Sequence, residues 1–424
     1  MKIKGVMLGC WPLICCFLLQ AEARRKTRSQ KLESVRDEAS RTEVLTHLLD
    51  GYDKRLPPNF DSGKPTEVYV NMYLSSIDSI SEITMDYVVT MYVRQSWKDD
   101  RLAFRSKVNG STLMLDATMA DSVWIPDGFF INLKRGTYHT VTMPNKLIRI
   151  RRDGSVFYSA RFTLTLSCSM KLEKFPLDTQ SCPVFYESYA YPAEKLVFKW
   201  TKPKGITMVK RKVEIPQYEL LRIEARECVN EYESTGLYPC LEGRFILMRD
   251  RGYYIIQLYV PTILVVILSW VSFWINIEAV PARISVGVIT VLTIATQTSS
   301  ARGSLPRVSY IKAIDVWMAT CQLFVFASLL EYAFVNVLTR RRTALQLLNR
   351  RRRKTKEEDQ FVPNGKETDL EAEAARQEAE EVRVGYEQAR QVDKVSRKLF
   401  PVAFVVFNIL YWAIYLNIPD QTDQ

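Results

Sequence analysis

The chain has 424 residues, of which 47% are hydrophobic and 25% are charged, and its formal net charge is +11. It contains only two histidines, His47 and His139, which excludes an HExxH zinc site and a histidine-rich metal cluster. The sequence has no Gly-x-Gly, no Gly-Lys-Ser/Thr and no Cys-x-x-Cys, so the common dinucleotide and phosphate-loop motifs are excluded too. We therefore predict that the protein is not an enzyme and that it needs neither a cofactor nor a metal.

Residues 1–23 have the pattern of a secretory signal peptide. A basic start is followed by an apolar run from Val6 to Leu19 and by the small residues Ala21 and Ala23. The alternative, an N-terminal anchor helix, is disfavoured because the run is too short to span a bilayer. In the secreted part, Asn109 begins the only glycosylation sequon.

The mature chain before the first long apolar stretch contains an even number of cysteines. In an oxidising compartment these are expected to form disulfides. Four cysteines allow three pairings, and the local one closes two short loops. The four are Cys168, Cys182, Cys228 and Cys240.

Residues 24–251 are predicted to form a ligand-binding β-sandwich of immunoglobulin-like class, preceded by a short helix over Arg41–Tyr52. Residues 156–167 alternate between apolar and polar side chains, which is typical of a strand with one buried face. Residues 86–94 are similarly rich in β-branched and aromatic side chains. Turn signals such as Pro126-Asp127-Gly128 and Asp153-Gly154 separate these runs and favour a sandwich.

Four long uncharged stretches predict four transmembrane helices near residues 253–275, 283–301, 313–338 and 399–418. The predicted domain boundaries place the first three helices in residues 252–338. A cytoplasmic loop, with an amphipathic helix over 371–397, covers residues 339–397. Residues 398–424 contain the fourth helix and a short extracellular tail. Nine cationic residues lie within 340–356, which favours a membrane-flanking basic run over a nucleic-acid surface. The positive-inside rule then places both termini outside.

The second of these stretches has a small or hydroxylated stripe at helical spacing, with an aliphatic band in its middle. An ordinary helix interface is the alternative, since such interfaces are also rich in small residues. Arginines at both ends of the helix favour a pore, because charged rings and hydrophobic bands select and gate ions. One helix cannot enclose a pore, so the chain must oligomerise. The predicted pore and selectivity residues are Pro281, Ala282, Arg283, Ser285, Ile289, Leu292, Thr296, Ser299 and Arg302.

Several motifs together resemble the Cys-loop pentameric ligand-gated ion channels. Cys168 to Cys182 encloses thirteen residues with Phe175-Pro176-Leu177-Asp178, similar to the signature loop of that family. Residues 48–59, 124–127, 281–283 and 305–317 look like further family landmarks. The second pair, Cys228 and Cys240, is similar to the extra disulfide of glycine and glutamate-gated chloride channels, and the likeness is greatest to glycine receptor α-type subunits. The resemblance implies a homopentamer or a mixed pentamer around a central pore.

The resemblance also implies an aromatic agonist pocket between subunits. The principal face would be Phe129, Glu187, Ser188, Tyr189, Tyr232, Ser234, Thr235 and Tyr238, and either Ser234 or Thr235 faces the ligand. The complementary face would be Tyr92, Arg94, Leu147 and Ser159. Tyrosine rings can hold an ammonium by cation–π attraction, and an arginine can hold a carboxylate as a planar fork. Phe175, Pro176, Asp178 and Arg249 are implied to couple binding to the pore, with Asp178 pairing with Arg249.

The function predicted from these features is a plasma-membrane chloride channel subunit, postsynaptic, opened by a small amino-acid-like agonist such as glycine. Its partners would be the agonist, chloride ions, membrane lipid and identical or related subunits, with no nucleic acid. An orphan or accessory subunit gated by GABA, glutamate or a biogenic amine is one alternative. A non-conducting, membrane-anchored binding protein is the other.

Overall fold

A computed structural model describes residues 43–104, 112–208, 215–303, 305–358 and 367–417. Its first helix, α1, covers residues 43–49 and ends before the predicted Tyr52, while Arg41 lies outside the described residues. Gly51 adopts a left-handed conformation with φ of 72°, which breaks the helical hydrogen-bond pattern just after Asp50. The signal peptide and Asn109 lie outside the described residues.

In the part of the chain that the structure describes, twelve strands follow α1 and form two sheets. Their bounds are β1 Thr66–Ser81, β2 Asp86–Lys98, β3 Thr112–Leu115, β4 Gly128–Phe130, β5 Leu133–Tyr138, β6 Lys146–Arg151, β7 Ser155–Ser167, β8 Thr179–Ser188, β9 Leu196–Trp200, β10 Ile206–Met208, β11 Tyr218–Tyr232 and β12 Gly236–Arg249. The larger sheet has the order β10-β1-β2-β7-β6-β3, with β9 also paired to β1 and β5 to β7. The smaller sheet has the order β11-β12-β8-β4.

The two sheets pack face to face, as the alternating sequence pattern predicts. In β7 the side chains of Val156, Ala160 and Leu164 are buried, while their neighbours in sequence are only half-buried. Across the interior, the ring of Tyr87 on β2 meets that of Phe245 on β12 at 6.0 Å. The predicted β-sandwich with an N-terminal helix is therefore confirmed. The structure assigns no turn at residues 126–128, where Gly128 begins β4.

Both disulfides have the local pairing. Cys168 is bonded to Cys182, and Cys228 is bonded to Cys240. The second bond links two directly paired residues of β11 and β12 and so fixes the end of that hairpin. Among the described residues, Cys321 is the free cysteine, and it is buried in a membrane helix.

Within the described ranges, four apolar helices long enough to cross a membrane follow the sandwich. They are α2 Gly252–Phe273, α3 Val280–Gly303, α4 Ala313–Glu358 and α5 Glu367–Asn417. A short π-helical segment, Ile255–Tyr259, precedes Pro261 in α2, where the missing proline N–H disturbs the regular pattern. The predicted four-helix transmembrane bundle is confirmed.

Two of these helices extend well beyond the membrane. α4 continues past its apolar span, Ala313–Thr339, through the basic run to Glu358, a region that the sequence analysis assigned to a loop. α5 joins the predicted amphipathic helix to the fourth span without a break. Arginine, lysine, glutamate and leucine are strong helix formers, so the charged segments propagate the helices that the membrane spans begin.

Candidate functional site

The residues predicted for the principal face gather at one end of the smaller sheet. Phe129 on β4 is in register with Glu187 on β8, and its ring meets that of Tyr189 at 5.5 Å. The rings of Tyr232 and Tyr238 lie 5.7 Å apart at the tip of the β11–β12 hairpin. The structure therefore forms two aromatic pairs next to one acidic residue.

Glu187 accepts hydrogen bonds from two residues of the β11–β12 hairpin. Its carboxylate is buried, with 2% of the residue exposed, and accepts a hydrogen bond of 3.0 Å from the hydroxyl of Tyr232. The side-chain amide of Asn230 donates to the other carboxylate oxygen. Burial first, and then the hydrogen bond to Glu187, raise the pKa of Tyr232, so its hydroxyl stays a donor at neutral pH. Glu187 thus fixes the orientation of the hairpin tip.

Ser188 has a supporting position. The residue is fully buried, and its hydroxyl donates to Asp127 Oδ1 over 2.8 Å and accepts from the backbone N–H of Tyr191. Asp127 Oδ2 accepts from the N–H of Ala190. The Ser188 hydroxyl therefore shapes the loop that carries Tyr189, whereas Tyr189 itself is 76% exposed.

The tip of the β11–β12 hairpin carries Ser234 and Thr235, and the sequence predicts that one of the two contacts the ligand. Ser234 and Thr235 are both exposed in the turn, which closes at Gly236 with φ of 96°. The N–H of Thr235 donates to the carbonyl of Tyr232 over 3.2 Å. Ser234 and Thr235 are therefore both in the turn that directly follows Tyr232, and the structure does not favour one over the other as a ligand contact.

Gly128 controls how closely β4 approaches the core. A Cβ at this position would overlap the ring and hydroxyl of Tyr186. That hydroxyl accepts a hydrogen bond from the buried amide of Gln95 on β2. The position of Phe129, the next residue, is therefore set by a glycine packed against a buried tyrosine.

The residues predicted for the complementary face lie on the larger sheet. Arg94 on β2, Ser159 on β7 and Leu147 on β6 are direct neighbours in register across three strands. Arg94 alternates with Val93 and Gln95, which are buried, so its side chain is on the outer face of the sandwich. Tyr92 lies on the same outer face, two residues before Arg94.

A residue that the sequence analysis missed supports this row. The guanidinium carbon of Arg94 lies 4.2 Å from the ring centroid of Tyr73, and Tyr73 contacts Tyr92 at 6.2 Å. Tyr73 is on β1 and pairs directly with Tyr92 on β2. The alternation within β1 indicates its face, but the register that brings it to Arg94 cannot be read from the sequence.

The β-sandwich meets the helices through a buried ion-pair network. Arg249, at the end of β12, binds Asp178 through Nε at 2.8 Å and through Nη2 at 3.1 Å. It also bonds Glu82, and its guanidinium carbon lies 4.5 Å from the centroid of the Phe175 ring and 4.6 Å from that of Tyr218. The predicted pair is present, and Glu82 is a partner that the sequence analysis missed.

This network sits directly against the loop between α3 and α4. The N–H of Leu172 donates to the hydroxyl of Tyr310, and the N–H of Ala313 donates to the carbonyl of Glu173 over 2.8 Å. The ring of Phe175 meets that of Tyr254, at the start of α2, at 5.0 Å. The loop closed by Cys168 and Cys182 therefore touches both α2 and the α3–α4 connection.

The second membrane helix has two different faces in the single chain. One face is packed against the bundle and contains Arg283, Gly287, Thr290, Ile294 and Thr298. The other face is exposed, with Ile289 at 59% and Leu292 at 63% of their surfaces accessible. That exposed face includes the predicted stripe Ala282, Ser285, Ile289, Leu292, Thr296 and Ser299, with Pro281 and Arg302 at its ends.

Arg283 does not lie on the exposed stripe. Its side chain is fully buried and binds Asp393 of α5 through Nη1 at 3.1 Å and Nη2 at 2.7 Å. Its Nε also donates to the carbonyl of Ile275 over 3.1 Å. Of the two orientations that the sequence leaves open for Arg283, into the pore or behind it, the single chain has the second, because the buried carboxylate of Asp393 draws the guanidinium into the bundle. Arg302 remains exposed, 3.8 Å from Asp315.

Comparison with known families agrees with this architecture. Residues 41–250 match the neurotransmitter-gated ion-channel ligand binding domain, and residues 258–385 match the neurotransmitter-gated ion-channel transmembrane region. The two matches adjoin along the chain and together cover most of it. This chain belongs to the neurotransmitter-gated ion-channel family.

Membership of the neurotransmitter-gated channels makes the protein a multi-pass membrane protein of a Cys-loop receptor family, which is not an enzyme family. It also explains why the two predicted binding faces do not meet in one chain. They lie on different sheets of the sandwich.

Proposed function

We propose that this chain is a subunit of a pentameric chloride channel opened by a small zwitterionic amino acid, with glycine as the first candidate. The observation that carries the proposal is the exposed stripe of α3, which is small, hydroxylated or aliphatic and contains no acidic residue. Five such stripes around an axis give a neutral, narrow path. Cation channels instead use rings of Asp or Glu at the mouth of the pore.

The selectivity argument rests on Ala282 and the start of α3. Ala282 is exposed in the first turn of the helix, where backbone N–H groups carry partial positive charge. Five helix N-termini around a small, neutral residue favour anions over cations. Arg283 contributes less than the sequence suggested, because Asp393 neutralises it at 2.7 Å.

The agonist proposal rests on the chemistry of the two binding surfaces. The principal surface offers exposed tyrosine rings above the buried carboxylate of Glu187, which suits an ammonium group. The complementary surface offers the guanidinium of Arg94, whose carbon lies 4.2 Å from the centroid of the Tyr73 ring, and a guanidinium suits a carboxylate. A ligand that carries both charges a few ångströms apart is an amino acid.

We infer the orientation from charge. The basic residues at 340–356 follow the third span, so the positive-inside rule puts that end in the cytoplasm and the β-sandwich outside. The plasma membrane, at a postsynaptic site, is the proposed location. Antibody labelling of epitope tags at the two ends of α4, on intact and on permeabilised cells, tests this orientation.

The decisive experiment is voltage-clamp recording from cells that express this chain alone, with a panel of amino acids and amines. The proposal expects glycine-evoked current with a reversal potential that follows the chloride gradient. Current only with a related subunit present would indicate an accessory subunit instead. Surface binding without current in any combination would indicate a non-conducting receptor. A reversal potential that follows sodium and ignores chloride replacement would contradict anion selectivity.

A further inference from the structure

Two residues of β11 hold the carboxylate of Glu187 at the predicted agonist pocket. Its Oε1 accepts a hydrogen bond of 3.0 Å from the hydroxyl of Tyr232, and its Oε2 accepts one from the side-chain amide of Asn230. Asn230 and Tyr232 are two positions apart in the strand, so their side chains lie on the same face of it. Asn230 is not among the residues predicted for agonist binding, although it contacts the acidic residue next to both aromatic pairs.

This arrangement keeps the carboxylate of Glu187 away from solvent. Only 2% of the residue is exposed, and each carboxylate oxygen already faces a donor from the hairpin. The disulfide joins Cys228 on β11 to Cys240 on β12, and Cys240 is paired in register with Glu187 on β8. The hairpin is therefore tied to the strand that carries Glu187, and an N–H group of a ligand meets Asn230 and Tyr232 before it meets the carboxylate.

The negative charge of Glu187 still acts on a ligand, because both donors are neutral and do not cancel it. The aromatic side chains beside it present free surface, with Tyr189 at 76% and Tyr232 at 42% exposed, and Phe129 and Tyr238 half-buried. A ring face attracts a cation through its charge and needs no N–H group. A carboxylate behind the rings, shielded from water, adds to that attraction. The arrangement therefore favours positive charge and not hydrogen-bond donors.

We propose that Asn230 is a specificity-determining residue that keeps Glu187 from contacting the agonist, so that the receptor accepts amino acids with methylated nitrogens. Betaine, the trimethylated form of glycine, has the same carboxylate and the same separation of charges but no N–H group. Asn230 acts through Glu187 and does not touch the ligand, so it is a positioning residue. Because Arg94 holds the ligand carboxylate, the inference rests on the proposed function, to which it adds the class of ligand that the rings select.

The test uses glycine, sarcosine, dimethylglycine and betaine, which differ only in the number of methyl groups on the nitrogen. Concentration–response curves are recorded by voltage clamp from cells that express the full chain. Binding is measured separately, as the thermal stabilisation of the purified full-length receptor by each ligand, because a ligand that binds the folded state raises its stability. The second measurement does not depend on current.

For the wild-type receptor we expect the four ligands to act at similar concentrations. Their half-maximal concentrations should lie within about tenfold of one another, since attraction to a ring face depends on charge and not on N–H groups. A larger preference for glycine over betaine would show that the ammonium group donates a hydrogen bond to an acceptor of the protein. That result would overturn the inference without any variant.

Asn230→Ala tests the role of the amide, because it removes the donor and opens Glu187 Oε2. Glycine can then donate an N–H bond to this oxygen and betaine cannot, so the ratio of betaine to glycine half-maximal concentrations should rise about tenfold or more. Val229→Ala is the matched control, since Val229 is 59% exposed on the opposite face of β11, and it should keep the wild-type ratio. The ratio compares two ligands on one receptor, so a change in surface expression affects both alike. An unchanged ratio in Asn230→Ala would contradict the role of Asn230.

The same recordings separate this inference from the proposed function. Chloride current with glycine and no response to betaine would overturn the inference and leave the proposed function standing. Similar responses to glycine and betaine with a reversal potential that follows sodium would support the inference and contradict the chloride channel. Similar thermal stabilisation by glycine and betaine without current would support the inference and contradict the channel function.

Discussion

The ion-pair network of Arg249, Asp178 and Glu82 predicts that losing the arginine costs more than losing one carboxylate. Replacing Asp178 with Asn leaves the buried guanidinium of Arg249 paired with Glu82. Replacing Arg249 with Gln leaves the buried carboxylate of Asp178 and the half-buried carboxylate of Glu82 without their shared cation. Removing one partner of a buried ion pair costs about 3–5 kcal/mol, and the second change should lie at the upper end. We therefore expect Arg249→Gln to be clearly more damaging than Asp178→Asn.

The charge-swapped pair sharpens this prediction. Asp178→Arg with Arg249→Asp restores one attraction, but Asp at 249 then faces Glu82, so only part of the gating should return. Adding Glu82→Gln removes that repulsion and should improve the recovery further. The measurements are agonist concentration–response curves, cell-surface labelling and the thermal stability of the purified protein, because a folding defect and a gating defect affect these three differently.

A double-mutant cycle with Asp178→Asn and Arg249→Gln gives the coupling energy. For side chains in direct contact we expect about 1–3 kcal/mol. Losses that add to within about 0.5 kcal/mol would refute the direct pairing on which this reasoning depends. A triple variant that recovers no more than the double swap would refute the role assigned to Glu82.

Three further predictions concern other parts of the chain. Arg94→Ala should raise the half-maximal agonist concentration more than tenfold, since a charge-assisted hydrogen bond is worth about 1.5–3 kcal/mol, and a shift below threefold would contradict the carboxylate contact. Ala282→Glu should weaken or invert anion selectivity, measured as the reversal potential in chloride-substitution experiments. Although burial raises it, the charge and hydrogen bond of Arg249 hold the pKa of Glu82 below its ordinary value. Ionised Glu82 therefore stabilises the folded protein fully above about pH 4.3, and this stabilisation is lost as the pH falls through the pKa of Glu82 in the folded protein. Glu82→Gln should therefore make the stability of the protein depend less on pH on the acid side.

Local patterns predicted much of the fold because they depend on residues close in sequence. The alternation over 156–167 identified β7, and the uncharged stretches located all four spans. The helical spacing from Ala282 to Ser299 selected the face of α3 that is exposed in the single chain. In each case one periodicity decides which side chains are buried.

Contacts between distant segments were beyond the sequence. Arg283 and Asp393 are separated by 110 positions, and only the folded helix bundle brings the carboxylate to the guanidinium. Tyr73 reaches Arg94 through the register of β1 on β2, and Glu82 reaches Arg249 across the sandwich. The extension of α4 was missed for a different reason, since charge patterns marked the membrane boundary but not the end of the helix.

The packing of Gly128 against Tyr186 has a consequence for anyone who wishes to retune this receptor. The buried hydroxyl of Tyr186 occupies the space beside Gly128. The position of Phe129 is therefore determined by packing inside the domain and not by residues at the edge of the pocket. Random libraries restricted to surface loops would leave this interior packing unchanged and would vary only the residues at the edge of the pocket. Libraries that vary positions 95, 128 and 186 together would change the dimensions of the pocket itself.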